Sequence, residues 1–157
     1  MKERLTEFTL RKAIATDLDF IWQLRLVTMK SIISKSYGWH EPTQREYAAE
    51  SLNGNIVLVE NNKAGVITIS DWQDQLHLTF IALLPKYQGL GLGTELINYA
   101  KNRASEEGKP LTLQVLKNNP VKLFYEKQDF QVCDRNSVEK LLMQWKPSTT
   151  SDNYKIN

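Results

Sequence analysis

The chain has one cysteine, Cys133, among 157 residues. A single thiol cannot close an internal disulfide, so the expected setting is a reducing cytoplasm and the expected stability comes from an apolar core. With 41% hydrophobic residues the chain can build one such core without metal or disulfide support. No apolar run approaches the ~20 residues that cross a bilayer, which excludes a helical membrane span. The opening Met1-Lys2-Glu3-Arg4-Leu5-Thr6-Glu7 mixes charges and is not expected to be a secretory leader. His40, His77 and Cys133 stand far apart, without metal-ligand spacing, so no metal is expected. Charge of one sign is also missing: 20 basic residues face 18 acidic ones, and Lys101-Asn102-Arg103 is followed at once by Glu106-Glu107. A nucleic-acid binder would concentrate its basic residues on one face, so nucleic acid is not an expected partner.

Glycine is scarce too, with seven in all, yet three stand at alternate positions in Tyr87-Gln88-Gly89-Leu90-Gly91-Leu92-Gly93-Thr94. This segment follows an apolar run, Leu78–Leu84, and precedes a helical pattern beginning Glu95-Leu96-Ile97. A glycine-rich loop before a helix aims unpaired N–H groups and the positive end of the helix dipole at one point, which suits a phosphate. A nucleotide-triphosphate loop needs a lysine after its last glycine, and Thr94 stands there. A dinucleotide loop needs G-x-G-x-x-G, but Thr94 and Leu96 fall where the third glycine belongs.

The pattern that fits is Q/R-x-x-G-x-G, over Gln88 to Gly93. It resembles the pyrophosphate loop of the GNAT superfamily of acyl-CoA-dependent N-acetyltransferases. The segment Val115-Leu116-Lys117-Asn118-Asn119-Pro120-Val121-Lys122-Leu123-Phe124-Tyr125-Glu126-Lys127-Gln128-Asp129-Phe130 resembles the second signature of that family, in order and spacing. The likeness covers most of residues 6–146. Asp129 departs from it, standing where the family usually has glycine, although aspartate tolerates positive φ better than most residues.

The resemblance implies an α+β fold: a mixed central sheet flanked by helices, with two central strands that splay apart to admit acetyl-CoA. It implies cofactor contacts from Gln88, Gly89, Leu90, Gly91, Leu92, Gly93 and Thr94, from Leu83 at the end of the preceding strand, and from Asn118. It also implies that the Tyr125 hydroxyl protonates the departing thiolate. The reaction implied is direct acetyl transfer to a primary amine, such as a small-molecule amine. Alternatives are a longer acyl donor, a macromolecular amine such as a protein N-terminus or an aminoacyl-tRNA, or a non-catalytic acyl-CoA sensor. A homodimer is also open.

Read residue by residue, the chain alternates strand and helix signals in one domain over 1–146, with a polar tail at 147–157 expected to be disordered. Phe8–Ile14 reads as an edge strand, and Thr16 or Asp17 as the cap of a helix through Phe20, Ile21, Leu24, Val27 and Met29. Gly38 ends it and Pro42 opens a second helix. Strands are expected at 55–60, 65–69, 76–84 and 111–115, with helices after Gly93 and from Val121 to Gln128. Phe130–Cys133 and Val138–Trp145 close the sheet, with Cys133 expected to be a small buried hydrophobe.

Between the first two helices, Tyr37, Trp39 and Glu41 are expected to hold an acceptor ammonium by cation–π attraction and charge pairing. Counting back from Gln88, His77 falls where histone-acetylating relatives carry a glutamate base. It alternates with Thr79, Ile81 and Leu83, so it is expected to share their face and to titrate near 6.5 as the general base.

Overall fold

The computed structural model describes residues 7–148. The expected tail lies outside the described residues from 149 onward. Seven strands form one sheet: β1 (Thr9–Lys12), β2 (Asn55–Val59), β3 (Asn62–Asp71), β4 (Leu76–Leu83), β5 (Leu111–Leu116), β6 (Gln131–Asp134) and β7 (Lys140–Trp145), in the spatial order β1-β2-β3-β4-β5-β7-β6. Four α-helices, α1 (Leu18–Ser36), α2 (Glu41–Glu50), α3 (Leu92–Glu107) and α4 (Val121–Lys127), join them. All neighbours are antiparallel except β4 and β5. A parallel pair needs a crossover, and α3 supplies it.

The sheet has a core on each face. On one side Leu92, Leu96, Ile97, Ala100 and Ala104 of α3 pack with Tyr125 and Phe130 against Leu76, Leu78 and Leu83. On the other, Ile21, Trp22 and Leu24 of α1 and Ala48 of α2 cover Ile56, Val66, Phe80 and Ala82. Both central strands are therefore largely apolar on both faces, as strands covered on both sides are.

Two features of β4 create the site. Its pairing with β5 covers only Leu76–Leu78 against Leu111–Leu113, and beyond Leu78 the two strands part. At the same place Thr79 is an extra residue: Phe80 pairs with Thr68 and Leu78 with Ile69, so Thr79 bulges from the ladder. A bulge shifts the alternation of side chains by one. His77 therefore shares its face with Phe80 and Ala82, not with Ile81 and Leu83, and the expected common face does not exist. Gly65 of β3 fits close beneath the end of β4, where any side chain would collide with the Ala82 carbonyl and Leu83.

Local details depart from the expectation at two further points. Asp17 sits at the start of α1 but does not cap it. Its buried carboxylate accepts from the Ile14 N–H at 2.8 Å and pairs with Arg11 at 2.8 Å and Lys63 at 2.8 Å. Hydrogen bonding from Arg11 holds this carboxyl below the usual carboxylate range. Cys133 is exposed, because β6 is an edge strand and Val132, not Cys133, turns inward. Asp129 takes φ 70°, so the turn after α4 forms without glycine.

Candidate active site

The glycine loop forms at the C-terminal end of β4. A single turn at Pro85–Tyr87 reverses the chain, and the Gln88 side-chain amide donates to the Leu83 carbonyl at 2.8 Å, tying loop to strand. Gly89 (φ 74°) and Gly91 (φ 90°) adopt backbone that other L-residues reach only with strain. Gly91 stands at the cap of α3 and offers no side-chain oxygen. The first internal bond of α3 runs from the Glu95 N–H to the Gly91 carbonyl at 3.3 Å. The N–H groups of Leu92, Gly93 and Thr94 therefore point out of the helix end toward a ligand. That arrangement suits a pyrophosphate. Gln88, Gly89, Gly91, Gly93 and Thr94 line the adjoining cleft, whereas the Leu92 side chain is buried in the core and only its backbone faces outward. Leu90 is half-buried and is absent from the lining.

The cleft, about 830 Å³, occupies the gap between β4 and β5. Thr79–Leu83 form one wall, Leu113–Leu116 the other, and Phe124 and Tyr125 of α4 close one side. The Leu84 N–H donates across to Ala64 of β3 at 2.8 Å. By strand alternation the backbone N–H groups of Leu83 and Ile81 face the gap. Such groups need a partner, and an amide-bearing chain laid between the strands supplies one.

Tyr125 is 8% exposed, held edge-on between Phe124 (ring centroids 5.4 Å apart) and Phe130 (5.9 Å). Burial pushes its phenol up to about 12. Its hydroxyl makes no hydrogen bond to any described residue, so its proton is free for a molecule in the cleft. Asn119 accepts from the Val121 N–H at 3.0 Å and caps α4, as expected, and it also lines the cleft. Asn118 points away from the lining, its amide reaching the Ile32 carbonyl of α1 at 3.5 Å.

The structure separates the trio expected at the far end. Tyr37 lines the cleft with Lys140 over its ring at 5.7 Å. Trp39 instead packs on Trp22 (5.9 Å), under Lys30. The His40 side chain caps α2 by accepting from the Thr43 N–H at 3.4 Å. That leaves Glu41 exposed in the first turn, off the lining. Arg25, Tyr47 and Glu50 line the cleft in their place, and Glu50 is the carboxylate among the described lining residues. Arg25 carried a readable signal, since it lies four residues from Ile21 and from Met29 on the buried stripe of α1. Glu50 carried none.

His77 lines the cleft at the closed end of the gap, 5% exposed. Its ring stacks on Trp72 (3.9 Å, 10° between planes), and Nδ1 lies 2.8 Å from the Thr112 hydroxyl. Burial lowers its pKa to about 4, so the expected inflection near 6–7 does not belong to this residue. The folded value lies below the unfolded one, so the unfolded chain takes up the proton first. Stability is complete above pH ~6.5 and lost as pH falls toward 4. After allowance for water at the cleft mouth, acidification from pH 7 to 4 should cost wild type about 2–3 kcal/mol more than His77→Gln. Urea unfolding at a series of pH values measures the difference. Parallel curves for the two proteins would mean that His77 titrates normally.

Residues 19–130 match the model of the acetyltransferase (GNAT) family. The chain belongs to that family. A ribosomal protein bS18-alanine N-acetyltransferase of Haemophilus influenzae is 35% identical over 82 residues, 51% of this chain and 56% of the relative. The match thus spans about half the length of that curated protein. Among solved GNAT structures, a PaiA N-acetyltransferase of Thermoplasma acidophilum in complex with coenzyme A superposes with a TM-score of 0.72 at 18% identity, covering 90% of this chain and 99% of the other. The ribosomal-protein-S18-alanine N-acetyltransferase of Escherichia coli gives 0.68 at 21% identity, covering 91% and 96%. The likeness to these two solved structures is one of overall fold. Among the described residues, no helix is long and apolar enough to cross a membrane.

Proposed function

We propose that this GNAT protein moves the acetyl group of acetyl-CoA directly to a primary amine, and that the acceptor is the N-terminal amine of a protein. The observation that carries the reading is the continuity of one cleft: an uncapped helix N-terminus, an open strand gap and an unpaired buried phenol line it together. Acetyl-CoA supplies the acyl group and a thiolate leaving group. Gln88 to Thr94 hold the pyrophosphate, and the N–H groups of Ile81 and Leu83 face the donor's amides and the thioester oxygen as it gains charge. Tyr125 donates its proton to the thiolate. The amine arrives from the side of α1 and α2, where Glu50 receives its ammonium form and water in the cleft removes the proton. The bS18-alanine N-acetyltransferase relative supports a protein amine as the acceptor.

The purified protein should acetylate an N-terminal peptide when incubated with acetyl-CoA, read as thiol release and as the mass gain of one acetyl group. The panel contains the N-terminal peptide of ribosomal protein S18, other N-terminal peptides and small amines. Binding of acetyl-CoA without transfer to any amine would overturn the reading in favour of an acyl-CoA sensor. Transfer confined to small amines would overturn the protein acceptor alone.

A further inference from the structure

The acceptor end of the cleft contains a buried cation without an ion-pair partner. Arg25 of α1 is 7% exposed, and its guanidinium lies 5.3 Å from the Tyr47 ring centroid and 5.2 Å from that of Phe80. Its Nε donates to Gln44 Oε1 at 2.8 Å. Gln44 is fully buried, and its own amide nitrogen has no partner. A buried donor is thus left unsatisfied while its amide oxygen orients the arginine, an arrangement with a real desolvation cost. No carboxylate forms an ion pair with Arg25 among the described residues, although Glu50 lies near enough to favour its charge. The two terminal nitrogens have no protein acceptor, yet they are not sealed in, because the cleft reaches them. Taking a cation out of water costs several kcal/mol unless it is paired, and two aromatic faces offset only part of that.

The position of this fork decides what it meets. Phe80 directly follows the bulge where β4 leaves β5, so Arg25 flanks the start of the gap on the α1 and α2 face. The phosphate cradle lies past Leu83, at least three residues or roughly 10 Å further along the strand. The part of the donor that lies in the gap is neutral. Glu50 attracts Arg25 only at longer range, so an anion that bonds both terminal nitrogens comes from the acceptor. A planar guanidinium with both terminal nitrogens open matches a carboxylate in bidentate geometry. Glu50 on the same lining complements an ammonium.

We infer that Arg25, oriented by Gln44 between Tyr47 and Phe80, is a carboxylate-recognition site that selects acceptors carrying an acidic group beside the reacting amine. The inference rests on the acetyl-transfer reading for the identity of the donor. The carboxylate comes from an Asp or Glu side chain at the start of a peptide, or from the α-carboxylate of a free amino acid.

The test compares matched pairs at saturating acetyl-CoA: tetrapeptide amides beginning with Glu or Gln, and free glutamine or its α-amide. Wild type should favour the carboxylate member of at least one pair by about 10-fold or more in kcat/KM, mainly through KM. The pair that shows the preference names the source. In Arg25→Met the ratio should fall to about 1, and in Arg25→Lys it should be intermediate, because a point charge replaces the fork. An acetyl-CoA thermal shift in each variant reports that the fold is intact. Calorimetric titration of the same ligands into the CoA-loaded protein reads the site without turnover. Carboxylate-selective binding without transfer would sustain the site and count against acetyl transfer. Transfer without carboxylate preference, preference that survives in Arg25→Met, or no binding of any pair would overturn the site.

Discussion

Gly91→Glu should abolish the stabilisation of the protein by acetyl-CoA. Gly91 holds φ 90° at the N-cap of α3, beside the unpaired N–H groups of the helix end. Glutamate adds strain at that backbone angle and puts a negative side chain at the proposed pyrophosphate site. In wild type, acetyl-CoA at ~100 times its dissociation constant adds about 2.7 kcal/mol of stability. For a domain of this size that amounts to roughly 5–10 °C in Tm. Affinity in the mutant should fall by 100-fold or more, about 2.7 kcal/mol, which removes the shift at that concentration. Gly91→Ala introduces strain without charge and should lose only part of it. A full thermal shift in Gly91→Glu would place the phosphate site elsewhere.

Tyr125→Phe should reduce turnover by about 10²-fold or more while acetyl-CoA affinity stays nearly intact. The substitution keeps the ring between Phe124 and Phe130 and removes only the oxygen. The phenol, pushed up to about 12, stays protonated across the working pH range and is always ready to donate. Against a thiol near 8.5 in water, full transfer of that proton would be uphill by about 5 kcal/mol. The same desolvation acts on a thiolate in the same cleft and raises its pKa in parallel, so the effective gap is smaller. Rapid-quench measurement of the acetyl-transfer step, with a separate binding titration, distinguishes the roles. Parallel loss of affinity and rate would make Tyr125 a packing residue.

How much of this was legible beforehand depends on how local each signal is. The glycine spacing from Gln88 to Gly93 is a short-range backbone requirement, and the positive φ angles at Gly89 and Gly91 realise it. Asn119-Pro120 at the start of α4 is equally local, and Asn119 does cap the helix. The buried stripe of α3 follows from its periodicity, so Leu96, Ile97, Ala100 and Ala104 fall where the pattern puts them. The acceptor side was less legible. Tyr37, Trp39 and Glu41 are neighbours in sequence, but the α2 cap at His40 directs their side chains to different places.

The order of strands and helices, the glycine loop and the family were thus determined by the sequence itself, because each rests on spacing within a few residues. Only the tertiary structure decided which face His77 occupies, since one extra residue at Thr79 reverses the alternation and no pattern in β4 alone reveals it. The packing that buries His77 against Trp72 and Thr112 likewise set its pKa near 4. Arg25 became a candidate recognition group only when α1, α2 and β4 came together and left Gln44, Tyr47 and Phe80 around it with no ion-pair partner. Charge state and selectivity at this site are properties of burial and of neighbours distant in sequence, and they come into being with the packed core.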